Sequence, residues 1–366
     1  MIGTHVDAVI ANALERGFAQ FDVARAWEAV KKNAYEPPIH DTELLYYDRE
    51  GYTPDEVRAG LTVYLEKGYV PNDRWAESAS RTLDYAFDDY AAAIVARHAD
   101  DNDSATELMH RAMNNYKTIY NPSTTFMEAK NDNGTWAGSD QGWTEGDDWI
   151  YTFDVPHDPL GLAELLGGRE RMKAKLDEYF EGGHNEHSNE PSHHAPYLYA
   201  ALGYHDKTIE WVRRIAWDNY NATAAGLSGN EGEYKAVEFG WVGPRSAFLT
   251  TSFMADLGQM SAWYIFSALG FYPVNPASDE YVVGAPFFEK ITVRFPAGAA
   301  TGGIGGEEHT LTISAPGALN SQHVKGLKVD GKAVDKPVLT HMQIVMAEKI
   351  EFEMASSPRA WGNMGL

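Results

Sequence analysis

Apolar positions recur at helical spacing through roughly the first 270 residues. The clearest segment runs from Glu77 to His98, where Leu83, Phe87, Tyr90, Ala91, Ile94 and Val95 fall at i, i+3, i+4 and i+7 and predict one buried stripe. Asp22 is placed to cap a helix over Val23 to Asn33, and Thr53-Pro54-Asp55-Glu56 opens another with proline and acids in its first turn. Further helices are expected at Ser104 to Tyr120, Arg169 to Phe180, Thr208 to Asn219 and Gly258 to Leu269. After Tyr272-Pro273 the period changes to two, at Ile291 to Phe295, His309 to Ile313, Leu327 to Val329 and Ile350 to Met354, with Asp330-Gly331 as a hairpin turn. The pattern divides the chain into a helical part, 1–275, and a β domain, 276–366.

Composition narrows the function. A hydrophobic fraction of 44% excludes a disordered chain. The longest aliphatic run, Ala91 to Ala96, is far too short to span a bilayer, so no membrane insertion is expected. With 30 Lys+Arg against 53 Asp+Glu the net charge is −23, which argues against nucleic acid and anionic membranes as partners. The absence of cysteine removes disulfides, thiolate catalysis and cysteine-ligated zinc. Sequons stand at Asn102, Asn133 and Asn221. No signal peptide precedes the first helical pattern, so either the chain is cytosolic or its natural N-terminus lies upstream.

Three polar, aromatic loops carry the candidate chemistry. In Gly142 to Tyr151, the rings of Trp143, Trp149 and Tyr151 surround Glu145, Asp147 and Asp148. Indole stacks on the C–H face of a sugar and carboxylates accept its hydroxyls. An apolar wall would also raise the pKa of a glutamic acid serving as general acid. The plainer reading is a helix N-terminus with Asp147 and Asp148 in its first turn. The second loop, His184 to His194, holds four His and two Glu. Zinc suits histidine, but the spacing is not HExxH, and a hard oxygen-seeking ion held by Glu190 and carbonyls is equally compatible. The third, Gly226 to Glu231 with Asp256 to Tyr264 beyond it, is weak by composition alone.

In this order the loops resemble the glycoside hydrolase family 92 α-mannosidases. The family's T-E-G-x-x-W-x-Y element is matched by Thr144 to Tyr151, and its N-E-P-x-H-H element by Asn189 to His194. Its G-N-E-D-x-G-Q-M-S-A-W-Y element is split here between Gly229-Asn230-Glu231 and the stretch from Asp256. Gly3 to Asp7, Gly68 to Pro71, Ser80 to Asp89 and Phe352 to Gly362 fit as well, so the resemblance covers nearly the whole chain. It implies a mainly α fold with a smaller β region, an incomplete (α/α)6-barrel-type toroid followed by a C-terminal antiparallel β domain. It also implies calcium-dependent exo-hydrolysis of α-mannosides, in mannan or glycoprotein glycans, with inversion. Glu145 then matches the general acid and Asp256 the base; Glu190 and Glu231 become the Ca²⁺ ligand candidates. Asp7, Trp143, Asp147, Trp149, Asn189, His193 and His194 would line the mannose pocket.

The chain departs from the family in two places. The family's N-terminal β-sandwich is absent, which makes the sequence a C-terminal portion of a protein expected to be secreted. Residues Gly232 to Ala255 also interrupt a motif that is continuous in the family; without them Gly229-Asn230-Glu231 joins Asp256-Leu257-Gly258. The stretch back-translates into splice signals and reads as a retained intron of a fungal gene, against a true loop insertion. A carbohydrate-binding remnant without catalysis is the alternative to an active mannosidase.

Overall fold

The computed structural model describes residues 2–42, 58–220, 259–298 and 307–362. The helix start expected at Thr53 to Glu56, the stretch Gly232 to Ala255, and the candidate residues Glu231 and Asp256 lie outside the described residues. The fold is mainly helical with a smaller, antiparallel-rich β region, as the sequence leads one to expect. It divides into two compact units, Met1–Leu166 with Asn275–Asp279, and Gly167–Val274 with Glu280–Leu366. Among the described residues no helix is long and apolar enough to cross a membrane.

The first unit begins with α1 (Val6–Glu15), α2 (Val23–Tyr35), α3 (Leu61–Lys67), α4 (Ser78–His98) and α5 (Asn102–Asn115). Asp22 caps α2 as expected, accepting the Arg25 N–H at 3.0 Å. Asp101 caps α5 by accepting from the Ser104 N–H at 3.1 Å, so this helix starts two residues before the expected Ser104. It then tightens into a 3₁₀ turn over Tyr116–Ile119. Two short hairpins follow, β1 (Tyr120–Asn121) with β2 (Phe126–Met127), and β3 (Ala129–Lys130) with β4 (Trp136–Gly138). Helices α6 (Asp148–Thr152) and α7 (Pro159–Leu165) close the unit.

Helix α4 is the axis of this unit and is buried on nearly every side rather than along one stripe. Phe87 and Tyr90, expected inside, are only half-buried. Alanines at 79, 86, 91, 92, 93 and 96 let α1, α2 and α5 approach closely, while Asp88 and Asp89 are fully enclosed. These charges survive burial because they are paired. Asp89 accepts from Arg58 NH1 (2.7 Å), Arg111 Nε (2.9 Å), Arg111 NH2 (2.6 Å) and the Tyr64 hydroxyl (3.0 Å).

The second unit opens with α8 (Arg169–Glu181), α9 (Ala195–Leu202), α10 (His205–Asn219) and α11 (Gln259–Leu269). Strands β5 (Phe271–Tyr272), β6 (Glu280–Val283), β7 (Lys290–Phe295), β8 (His309–Ser314), β9 (His323–Val329), β10 (Lys332–Val334), β11 (Val338–Thr340), helix α12 (His341–Val345) and strand β12 (Lys349–Ala355) follow. They form a five-stranded sheet, β10-β9-β12-β8-β7, and a three-stranded one, β11-β6-β5. All pairs in the two sheets are antiparallel except β8 with β12. Asp330 (φ 47°) and Gly331 (φ 77°) make the expected hairpin, both in the left-handed region that a tight β9–β10 turn requires. Inward positions Leu311, Ile313, Leu327, Ile350 and Phe352 build the core, with Ile209 of α10 packed into it.

Candidate active site

The loop Gly142 to Tyr151 is docked on the start of α4. The first N–H groups of a helix have no partner within it. Here those of Ala79 and Ser80 both donate to the Gly142 carbonyl, at 3.0 and 3.1 Å. Gly142 sits at φ 80°, and a Cβ there would fall 2.8 Å from that of Ala129, so the position requires glycine. Two residues on, the Thr144 N–H donates to Ser80 Oγ at 3.0 Å and the Tyr151 hydroxyl donates to the Thr144 carbonyl at 2.7 Å. Glu145 follows, exposed and in the left-handed region at φ 50°. Its exposure differs from the apolar wall expected around it.

Asp147 does what the plainer reading of this loop describes. It caps α6, accepting the Ile150 N–H at 3.0 Å, with Asp148 in the first turn. Trp143 stacks on Tyr151 (5.3 Å, 16°) and donates its indole N–H to the Ser139 carbonyl, while Trp149 meets Phe126 edge-on at 4.7 Å. Both indoles stay half-buried. The first unit therefore gathers Trp143, Glu145, Asp147 and Trp149 on one short loop.

Asp7 sits elsewhere in the same unit. It is fully enclosed and accepts from the Thr4 hydroxyl (2.7 Å), Arg58 NH2 (3.2 Å) and Asn33 Nδ2 (3.1 Å). Burial raises its pKa to about 6 against the pull of Arg58. Here it braces the buried ion network and presents no surface.

Sequence reasoning did not single out a second set of groups. Ser80, Asp84 and Asp88 lie four residues apart along one face of α4. His5 bridges the last two, with Nδ1 3.1 Å from Asp88 and Nε2 3.6 Å from Asp84. Burial opposes the charged imidazole, but hydrogen bonds to these carboxylates outweigh it and raise the His5 pKa to about 11. Asp154 is pushed up to about 8 by burial and by Asp84. Beside the family match of Ser80 to Asp89, the i, i+4, i+8 polar line along α4 was the signal available for Ser80, Asp84 and Asp88; Asp154 gave none.

In the second unit Asn189, Glu190, His193 and His194 come together around a 3₁₀ turn, Glu190–Ser192. The Asn189 side-chain oxygen accepts from the Glu190 N–H at 3.1 Å, and the Glu190 carbonyl from the His193 N–H at 2.9 Å. His193 Nε2 is 3.0 Å from the His187 carbonyl, which can only accept, so that nitrogen carries the proton. His187 Nε2 pairs with the Tyr220 hydroxyl at 2.8 Å, and its ring lies 4.3 Å from that of Trp263. Burial lowers the His193 pKa to about 4 and depresses that of His187. These are neutral imidazoles packed among aromatics. The zinc reading finds no support among the described residues, where no group of three or more His, Asp or Glu is gathered for a metal. Asn189 and Glu190 add oxygen donors to the neighbourhood, the chemistry a hard cation takes.

The family model described as the glycosyl hydrolase family 92 catalytic domain matches residues 1–236 and 254–356. The unmatched stretch between them falls inside Gly232 to Ala255. An inverting family 92 mannosidase from Bacteroides thetaiotaomicron superposes with a TM-score of 0.79 at 28% identity, over 100% of this chain and 47% of that one. A family 92 α-mannosidase from the same organism gives 0.77 at 33% identity, over 98% and 43%. That enzyme, solved also with mannoimidazole, gives 0.76 in the complex. An uncharacterized secreted glycosidase of Arthroderma benhamiae is 23% identical over 98% of this chain and 46% of its own length. The chain thus spans about half the length of the relatives it matches. With the match running through both units and through the Glu145 and Glu190 loops, the chain belongs to glycosyl hydrolase family 92.

Proposed function

We propose that the whole protein is an exo-acting α-mannosidase that releases terminal mannose from mannose-containing oligosaccharides or glycoprotein glycans with inversion. The observation that carries this is an exposed glutamate, Glu145, presented by a clamped loop in a family 92 chain. Inversion needs an acid at the leaving oxygen and a base on the opposite face of the sugar. In this reading Glu145 donates its proton to the glycosidic oxygen as the C1–O bond breaks. Asp256 takes a proton from the water whose oxygen bonds to C1. Trp143 and Trp149 offer the ring faces for the sugar, and Asp147, Asn189 and His194 its polar contacts, while His193, buried and bonded to the His187 carbonyl, supports its loop from within. Asp7 acts at a distance through the buried network. A leaving group that needs protonation is a sugar hydroxyl rather than a phosphate. The relatives' mannosidase activity and the mannoimidazole complex support mannose as substrate. The secreted fungal relative supports a secretory protein.

Calcium belongs to the same proposal, with Glu190 and Glu231 as its protein ligands. Bound there, the ion would hold the mannose hydroxyls and favour a distorted ring. Incubation with an α-mannobiose, followed by NMR of the first product formed, tests the whole reading. β-Mannose should appear first, and Glu145→Gln should lower turnover by about 10²–10⁴-fold while sugar binding persists. Initial release of α-mannose would falsify the inverting assignment. Activity should vanish on treatment with EDTA and return with Ca²⁺; indifference to calcium removes the metal from the mechanism.

A further inference from the structure

The Glu145 loop is held at Thr144 from two sides. The Thr144 N–H donates to Ser80 Oγ (3.0 Å), and the Tyr151 hydroxyl donates to the Thr144 carbonyl (2.7 Å). Both backbone groups of Thr144 are thereby committed, and the peptide that enters Glu145 has a fixed plane. Ser80 is fully buried and Tyr151 is 3% exposed, so water does not compete for these bonds. Glu145 needs such support, because a non-glycine residue in the left-handed region relaxes unless its surroundings hold it. The Gly142 carbonyl, gripped by two N–H groups of α4, anchors the other side.

We infer that Ser80 and Tyr151 are positioning residues for Glu145: Tyr151 fixes the Thr144–Glu145 peptide, Ser80 fixes the peptide before it, and together they aim the carboxyl at the leaving oxygen. The inference rests on the reading of Glu145 as the acid. It explains why the closing tyrosine of the T-E-G-x-x-W-x-Y element stands where it does: α6 brings Tyr151 back over Thr144. Asp147 starts that helix and thereby contributes to the same geometry.

The test compares Ser80→Ala, Tyr151→Phe and Glu145→Gln in the full chain on two substrates. An α-mannobiose needs its leaving oxygen protonated; 2,4-dinitrophenyl α-mannoside does not. Ser80→Ala and Tyr151→Phe should each lower kcat on the disaccharide by about 10- to 100-fold, with KM little changed. On the activated mannoside they should stay close to the parent protein. Equal losses on both substrates mean general structural damage, and no loss means no role; either overturns the inference. The reading of Glu145 fails separately if Glu145→Gln shows no dependence on the leaving group. A second readout needs no turnover. In Ser80→Ala the Thr144 amide should exchange its hydrogen up to about ten-fold faster, while Ala91 to Ala96 keep their rates. An unchanged Thr144 rate overturns the clamp itself.

Discussion

Asp154 and His5 show how one neighbour decides a residue's protonation. Asp154 gains a proton affinity near pH 8 from burial and Asp84, whereas His5 keeps its proton to about pH 11 because Asp84 and Asp88 face it. For Asp154 the folded-state value lies above the unfolded one of about 4. Its contribution to stability is therefore complete below pH 4 and is lost as the pH rises through 8. Asp154→Asn should flatten the decline of melting temperature between pH 5 and pH 9; an unaltered slope would remove Asp154 from the titrating groups. Neither shift was legible in the sequence, since Asp84 and Asp154 stand far apart along it. Asp22, by contrast, was legible as a cap because its partner is three residues away.

At the scale of elements, α4 carries most of the design of its unit. Its small residues admit close neighbours, and its two buried aspartates gather Arg58 and Arg111 from distant segments. Replacing Asp89 by Asn leaves two buried guanidinium groups short of a counter-charge, so urea unfolding should report a loss of about 3–5 kcal/mol. Gly142→Ala would drive a Cβ into Ala129 and Ser78 at a backbone angle alanine dislikes. A loss of about 1–3 kcal/mol is expected, with the Glu145 loop displaced from α4. Periodicity found the long helices but passed over α9, for a physical reason. Every residue from Ala195 to Leu202 is buried, so no polar face marks the turn.

Among the described residues of both units, buried neutral imidazoles tie stability to acid pH. Burial lowers His157 in the first unit, and His193 and His205 in the second, to about 4. Each folded-state value lies below the unfolded 6.5, so the stability they confer is present above pH 6.5 and lost as the pH falls through 4. His205→Gln should weaken the drop in melting temperature between pH 6.5 and pH 4, even if the variant is less stable at neutrality. An equally steep drop would show that other groups govern acid unfolding.

Local periodicity by itself determined the helical character of the long segments, the alternating strands, the Asp330-Gly331 turn and, through its motifs, family 92. Each of these is written in residues close together in the chain, where spacing maps directly onto a helix face or a strand face. Only the tertiary structure decided that Asp7 is a buried brace, that His187 and His193 are packed neutral rings, and that Ser80 and Tyr151 grip the two peptides flanking Thr144. Those roles depend on which distant group supplies a charge or a hydrogen bond inside a medium that excludes water, and no local pattern records that choice.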